Sequence, residues 1–283
     1  MKPHANDAWR SDWVESVSTY ADGFLSSLIG FIDKTLVITE LEVRRLRHDF
    51  TEMVARAIQP ALWLLLFGEV FTKVRAISTG DIPYLDFMAP GILAQSVLFV
   101  AIFYGISIIW ERDLGIVHKF LVSPTPRGAL VLGKALSAAI RSLSQAVIIY
   151  VLALLLGVKM NWHPAALLGV LVTVILGAAM FSTVSLIIAS LVKTRERFMG
   201  MGQVLTMPLF FASNAIYPIS LMPTWLQIIS HINPLTYEVD ALRALMLAHG
   251  TSTFGLALDL SCLLASTVVA VIIGAKLYPR VVT

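Results

Sequence analysis

Residues 164–192 read PAALLGVLVTVILGAAMFSTVSLIIASLV, twenty-nine positions without a formal charge, and the next seven read KTRERFM. A helix spans a ~30 Å hydrocarbon layer with about 20 apolar residues, so this stretch is a membrane crossing. The cluster Lys193, Arg195 and Arg197 behind it marks the cytoplasmic side. The whole composition agrees. Of 283 residues 57% are hydrophobic and only 14% charged, and the mean hydropathy of +0.80 lies outside the range of soluble domains. A net charge of +3 would suggest nucleic acid in a soluble chain. Here basic loops facing anionic lipid account for it, and no nucleic-acid partner is expected. The lone cysteine, Cys262, lies in an apolar run, so no disulfide framework forms within one chain. The start, MKPHANDAWRSDW, is polar and mixed in charge, unlike a cleavable signal peptide.

Apolar runs predict six crossings, at about 55–74, 85–110, 133–157, 164–192, 199–218 and 256–278. The first is the least clean, because Arg56 and Glu69 leave twelve uncharged residues between them. The third carries Lys134 and Arg141 in its first half, where long side chains reach towards the interface. Forty uncharged residues separate Arg197 from Glu238, about 60 Å if wholly helical. Asn214, Pro218 and Pro223 interrupt that run. One crossing up to about Tyr217 is therefore expected, followed by a short amphipathic helix, TWLQIISHI, at the outer interface. With the N-terminus inside, Lys and Arg divide 17 to 4 between cytoplasmic and outer segments, Arg243 among the outer ones. That split places both termini in the cytoplasm.

Ahead of the first crossing, residues 34–54 form an amphipathic pattern rather than a span. Leu36, Val43, Leu46, Phe50, Met53 and Ala57 recur at helical spacing, and Arg44, Arg45, Arg47, His48 and Glu52 fill the opposite face. Two readings stand: an elbow on the anionic leaflet, or one that also touches a cytoplasmic partner. The expected organisation is a cytoplasmic segment, 1–54, and a six-helix transmembrane domain, 55–283. The fold class is all-α and polytopic, with an interfacial N-terminal helix and an outer re-entrant or interfacial helical hairpin before the sixth span.

After the second crossing the chain reads ERDLGIVHKFLVSPTPRGALVLGK, residues 111–134. A helix-length piece, 113–122, is stopped by Ser123-Pro124-Thr125-Pro126. Val117, Phe120 and Leu121 form a small apolar face beside His118 and Lys119. A short, firmly ended helix between two crossings suits a lever that moves both, and equally suits an ordinary loop held at the lipid surface.

The pattern E-R-x-x-G-I-x-x-K-F-L-x-S-P-T-P-R-x-x-x-x-x-G-K, Glu111 to Lys134, resembles the signature of the ABC-2 type permeases, notably the daunorubicin-resistance branch. A second match, Asn233-Pro234-Leu235-Thr236-Tyr237-x-x-Asp240-Ala241-Leu242-Arg243, is similar to that family's motif before the last span. The resemblance covers about residues 34–280. It implies the membrane subunit of an ATP-driven exporter, two such chains pairing as a homo- or heterodimer with two cytoplasmic P-loop ATPases. The loop helix would fit a groove on the ATPase, with Glu111, Arg112, Gly115, His118, Lys119, Phe120 and Leu121 as coupling residues. The second and fifth crossings would face each other around the cargo path, with Phe99, Phe103, Tyr104, Met207, Phe210, Phe211 and Asn214 as candidate lining residues. The site would be a bacterial or archaeal inner membrane. No G-x-x-x-x-G-K-[ST] loop occurs in the chain, so ATP and Mg are expected on the partner, and no cofactor here.

Other constellations carry less. Glu69 has Lys73 one turn away as a partner at the outer interface, and Arg141 has Glu111 as one candidate partner. Pro90 and Pro208 each remove a backbone bond and kink the second and fifth crossings. The six histidines are scattered without metal-ligand spacing. The alternative classes are an ion- or proton-coupled carrier, which needs a paired intramembrane acid and usually a repeat, and an intramembrane enzyme, which needs converging carboxylates or histidines. The resemblance implies an amphiphilic cargo: a drug, a lipid or a lipid-linked glycan.

Overall fold

The computed structural model describes residues 30–37, 39–40, 58–74, 82–122, 125–192 and 194–281. Every regular element among them is a helix. Helix α1 covers 30–37, and α2 covers 58–74 with a π-helical turn at Trp63–Phe67. Next come α3 (Tyr84–Tyr104), α4 (Ile106–Asp113), α5 (Ile116–Val122) and α6 (Arg127–Leu155). The chain continues through α7 (Pro164–Leu191), α8 (Arg195–Phe211), α9 (Thr224–Ile232), α10 (Pro234–Met246) and α11 (Leu256–Leu277).

Among the described residues four helical stretches are long and apolar enough to cross a bilayer: Tyr84–Asp113, Arg127–Leu155, Pro164–Leu191 and Leu256–Arg280. In α3 the apolar residues run all round the helix, and such a helix must be covered on every side. It is: 78% of its most apolar window is buried, against 22% for α11. Helices α6, α7 and α10 pack against it, with α2 and α8 along its remaining flank. Helix α8, at 17 residues, is shorter than the expected fifth crossing. It ends at Phe211, six residues before the expected Tyr217, because residues 212–217 leave the helix in a chain of turns.

Hydroxyls inside these helices spend their protons locally. Ser96, Ser137, Thr173, Thr183, Thr206 and Thr267 each donate to the carbonyl four residues back. This satisfies a polar group where no water is at hand. Around Pro90 the helix departs from that economy. Tyr84 donates from its hydroxyl to the Ile216 carbonyl at 3.1 Å, and Gly91 lies under the backbone of Ala215 so closely that a Cβ there would collide with it. The missing side chain is what lets the 212–216 turn settle against α3.

The hairpin before the last crossing, expected to be re-entrant or interfacial, divides between its two helices. Helix α9 has the expected bounds, and Trp225, Ile228 and Ile232 are exposed along it. Helix α10 is instead sunk between α3, α7 and α11, burying Glu238, Asp240 and Arg243. The N-terminal helix is described only at 30–37 and 39–40, so most of the amphipathic stretch 34–54 lies outside the described residues. Within it, Thr39 reaches the Gly133 carbonyl at 3.4 Å.

Replacing Gly91 by Val places a branched side chain against a backbone carbonyl. A loss of roughly 3 kcal/mol, typical of severe overpacking, is expected. It would be read as a lower melting temperature of the purified protein.

Candidate functional site

Glu111 and Lys134, the first and last residues of the loop signature, meet across the helix interface. The ammonium lies 2.5 Å from Glu111 Oε1, and the two side chains are 6% and 5% exposed. Lys134 therefore does not reach for the interface. It is neutralised inside the protein, and α6 begins at Arg127, directly after Pro126 and six residues before the crossing expected from hydropathy. Arg141 does not pair with Glu111 either; its guanidinium sits 5.2 Å from the centre of the Tyr104 ring.

The two residues after Glu111 fasten the same point to other helices. Arg112 bonds Asp113 at 3.1 Å and the Val192 carbonyl, at the end of α7, at 3.5 Å. Asp113 also bonds Arg195, at the start of α8, at 3.0 Å, and the Arg195 guanidinium lies 3.5 Å over Trp110. These contacts are half exposed, worth about 1 kcal/mol or less each. Removing one partner of a buried pair costs roughly 3–5 kcal/mol, so the Glu111–Lys134 pair dominates.

Above this base the chain turns at Leu114-Gly115. Gly115 has φ +72°, a left-handed conformation that ends α4 and delays α5 to Ile116, later than the expected start at 113. The apolar face expected on the loop helix is also redistributed. Val117 is wholly buried against Ile108, Ile109, Leu130 and Phe198, with Phe120 partly packed on the same cluster. The large apolar side chains left exposed are Leu114 (70%) and Val122 (88%), beside exposed Lys119. His118 and Leu121 belong to α5, but their side chains lie outside the described residues, as does that of Glu69.

The candidate path residues separate. Phe99 and Phe103 line a cleft of about 510 Å³ between α2, α3 and α8, together with Gln59, Gln95, Met199 and Gln203. The others lie elsewhere. Tyr104 is buried under Arg141. Met207 is half-buried beyond the cleft. Phe210 is buried against Trp63, with Phe211 more exposed beside it. Asn214 is buried where its carbonyl accepts from Arg243 at 2.7 Å.

The second motif organises the buried hairpin. Asn233 caps α10 by accepting from the Leu235 N–H at 3.0 Å and donates to the Leu209 carbonyl of α8 at 2.7 Å. Asp240 accepts from the Thr253 and Phe254 amides and the Thr253 hydroxyl at 2.6–3.1 Å. Ser252 Oγ lies 3.0 Å from Asp240 Oδ2 and 2.7 Å from Asp259 Oδ2, and already accepts from the Gly255 N–H. One hydroxyl proton cannot serve two carboxylates, so a carboxyl must supply the second. Asp240 is held by three other donors, which leaves Asp259, whose Oδ1 has no hydrogen-bond partner. Glu238, absent from the motif as read in the sequence, is wholly buried beside Gly177 with both oxygens lacking a hydrogen-bond partner. The acids were visible in the sequence. Their convergence was not, because Asp259 lies nineteen positions beyond Asp240 across a turn. Among the described residues no three His, Cys, Asp or Glu side chains gather in a way that could hold a metal ion.

An all-helical membrane body, with a fastened loop after its first long crossing and a buried hairpin before its last, defines a polytopic transporter subunit. The comparisons state which. The model of the ABC-2 type transporter family matches residues 34–247. The chain belongs to that family. It is 31% identical over 219 residues, 76% of this chain and 74% of the relative, to a putative transport permease, ycf38, of Cyanophora paradoxa. It is 27% identical to the daunorubicin resistance ABC transporter permease protein DrrB1 of Streptomyces coeruleorubidus, covering 74% of this chain and 72% of that one. With the inner membrane transport permease YadH of Escherichia coli K12 it shares 24% identity, covering 69% and 77%.

Two outcomes check the polar geometry. Glu111→Met or Lys134→Met alone should lower stability by roughly 3–5 kcal/mol, and the double variant should recover most of it, because an apolar pair replaces an ion pair in a dry site. A double-mutant cycle on melting curves reads this. Asp259→Asn, which keeps a donor towards Ser252, should melt within about 0.5 kcal/mol of the parent, whereas Asp240→Ala, which strands buried amides, should lose about 2 kcal/mol.

Proposed function

We propose that the chain is the export permease of an ATP-driven transporter, working as a dimer with separate cytoplasmic ATPase subunits that carry the nucleotide and its Mg. Helices α2 and α8 serve as the first and fifth of six crossings, both termini face the cytoplasm, and the membrane is a prokaryotic inner membrane, as the name of the Escherichia coli relative suggests. The observation that carries the reading is the loop of α5 and the turn before it, which leaves Leu114 and Val122 exposed while its base is fastened to α6, α7 and α8 through Glu111, Arg112 and Asp113. Exposed apolar side chains in water gain by being covered, and an ATPase groove would cover them.

Closure of the ATPases would push on α5, and the ion pair and its neighbours would pass the displacement into the crossings. The half of the α3–α8 cleft nearest the cytoplasm would then open outward. Its mixed apolar and amide lining suits an amphiphilic cargo, in the range of a drug, a lipid or a lipid-linked glycan. A carrier driven by an ion gradient would instead use the acids around α10. The second motif, however, commits Asp240 to holding a turn.

Leu114→Asp and Val122→Asp should each leave membrane insertion and melting temperature unchanged, and should reduce cargo-stimulated ATP hydrolysis of the reconstituted complex at least about tenfold. Val117→Asp, which buries a charge, should fail to fold. Full coupling in both surface variants would remove α5 as the docking element. Transport by the chain without any ATPase would favour the carrier.

A further inference from the structure

The α3–α8 cleft is polar in a restricted way. Among the described residues none of its ten lining positions carries a charge, yet three are glutamines: Gln59, Gln95 and Gln203. Gln95 is 2% exposed, and its Oε1 is buried without a hydrogen-bond partner. A buried amide oxygen left unpaired costs about 1–3 kcal/mol, which a ligand bearing a donor would recover. The apolar part is ordered along the same face: Phe99 and Phe103 follow Gln95 at one and two turns, and Met199 precedes Gln203 by one turn. Helices α3 and α8 run in opposite directions and Gly202 lies against Ile102 and Phe103, so Gln203 sits level with the stretch between Phe99 and Phe103, while Gln95 and Ser96 form the end of the cleft far from Met199. The volume of about 510 Å³ falls within the range of sites for drug-sized molecules.

From this arrangement we infer that the cargo's head group is uncharged and rich in hydroxyls or amides, a glycosyl or amide head on an apolar tail. This rests on the reading of the cleft as the cargo site. Glutamine both donates and accepts, so it matches a hydroxyl or an amide in either sense. A cationic or anionic head in the same place would lose its hydration without meeting an opposite charge, which a low-dielectric site penalises heavily. The tail lies across Phe99, Phe103 and Met199, surfaces that adapt to varied chains.

Photolabelling of the full-length chain in nanodiscs tests this. Three probes with the same dodecyl diazirine tail carry glucosyl, trimethylammonium or phosphate heads, and label is mapped on the peptides holding Phe99, Phe103 and Met199. The glucosyl probe should label them about tenfold more than either charged probe, the equivalent of one or two net hydrogen bonds. Gln95→Leu should remove most of that preference. Gln95→Glu, nearly the same shape, should lower glucosyl labelling and raise trimethylammonium labelling several-fold. Equal or stronger labelling by a charged probe in the parent protein would overturn the head-group assignment and leave the cleft standing as a cargo site. An unchanged preference in both Gln95 variants would overturn the assignment through Gln95. Labelling of lipid-facing peptides alone, by all three probes, would overturn the cleft itself.

Discussion

A carboxylate and an ammonium 2.5 Å apart, with almost no solvent around either, hold the loop end of this protein together. Neither ion is stable there alone, since the cost of removing a charge from water is several kcal/mol and the partner's charge offsets it. Glu111 ends the first long crossing, Lys134 opens the second, and the loop helix is strung between them. The exposed contacts of Arg112 and Asp113 add little energy but considerable geometry, because they reach the end of α7 and the start of α8. Tyr278, at the end of the last crossing, is buried in the same apolar cluster as Val117 and Phe198. A force on α5 therefore meets several crossings at one junction, and no single helix can yield to it alone.

The other end of the molecule is governed by the same scarcity of water and solved differently. There the chain folds a whole helix, α10, back into the bundle. Three of the polar groups this carries inward are matched: Asn233 with its own helix start and with α8, Asp240 with the 253–254 amides, Arg243 with the Asn214 carbonyl and the face of Phe87 at 3.9 Å, while Glu238 keeps both oxygens without a hydrogen-bond partner. An aromatic run through Phe67, Phe71, Tyr84 and Phe87 carries the packing from α2 to that guanidinium. Between these two ends lies the cleft, where the buried Gln95 amide oxygen has no such match.

Much of this was legible in the sequence. The bounds of α9 and α11 follow from breakers and from charge-free length, and α7 from both, since Pro164 opens it and Lys193 stands just beyond its end. The signature loop and the hairpin motif fall where the topology puts them. What could not be read was which side of each short helix is covered. Val117 and Phe120 look like a docking face because they are apolar and lie in a loop, but Val117 closes the bundle's own core. Arg243 counts as an outer charge when charges are tallied singly. It is buried because its partners, the Asn214 carbonyl and the Phe87 ring, lie twenty-nine and 156 positions away.

By itself the sequence determined that this chain lives in a membrane, roughly where its helices run and to which family it is similar. These depend on local hydropathy, on breakers and on short motifs, all properties of neighbours along the chain. Tertiary structure alone decided that Lys134 is an internal counter-ion, that α10 is an interior helix, that Leu114 and Val122 stay exposed where Val117 is buried, and that Gln95 shares a cleft with Gln203. Each of these turns on which distant atoms come within a few ångströms, and in a solvent that offers no hydrogen bonds that proximity settles whether a polar group is buried, paired or free for a ligand.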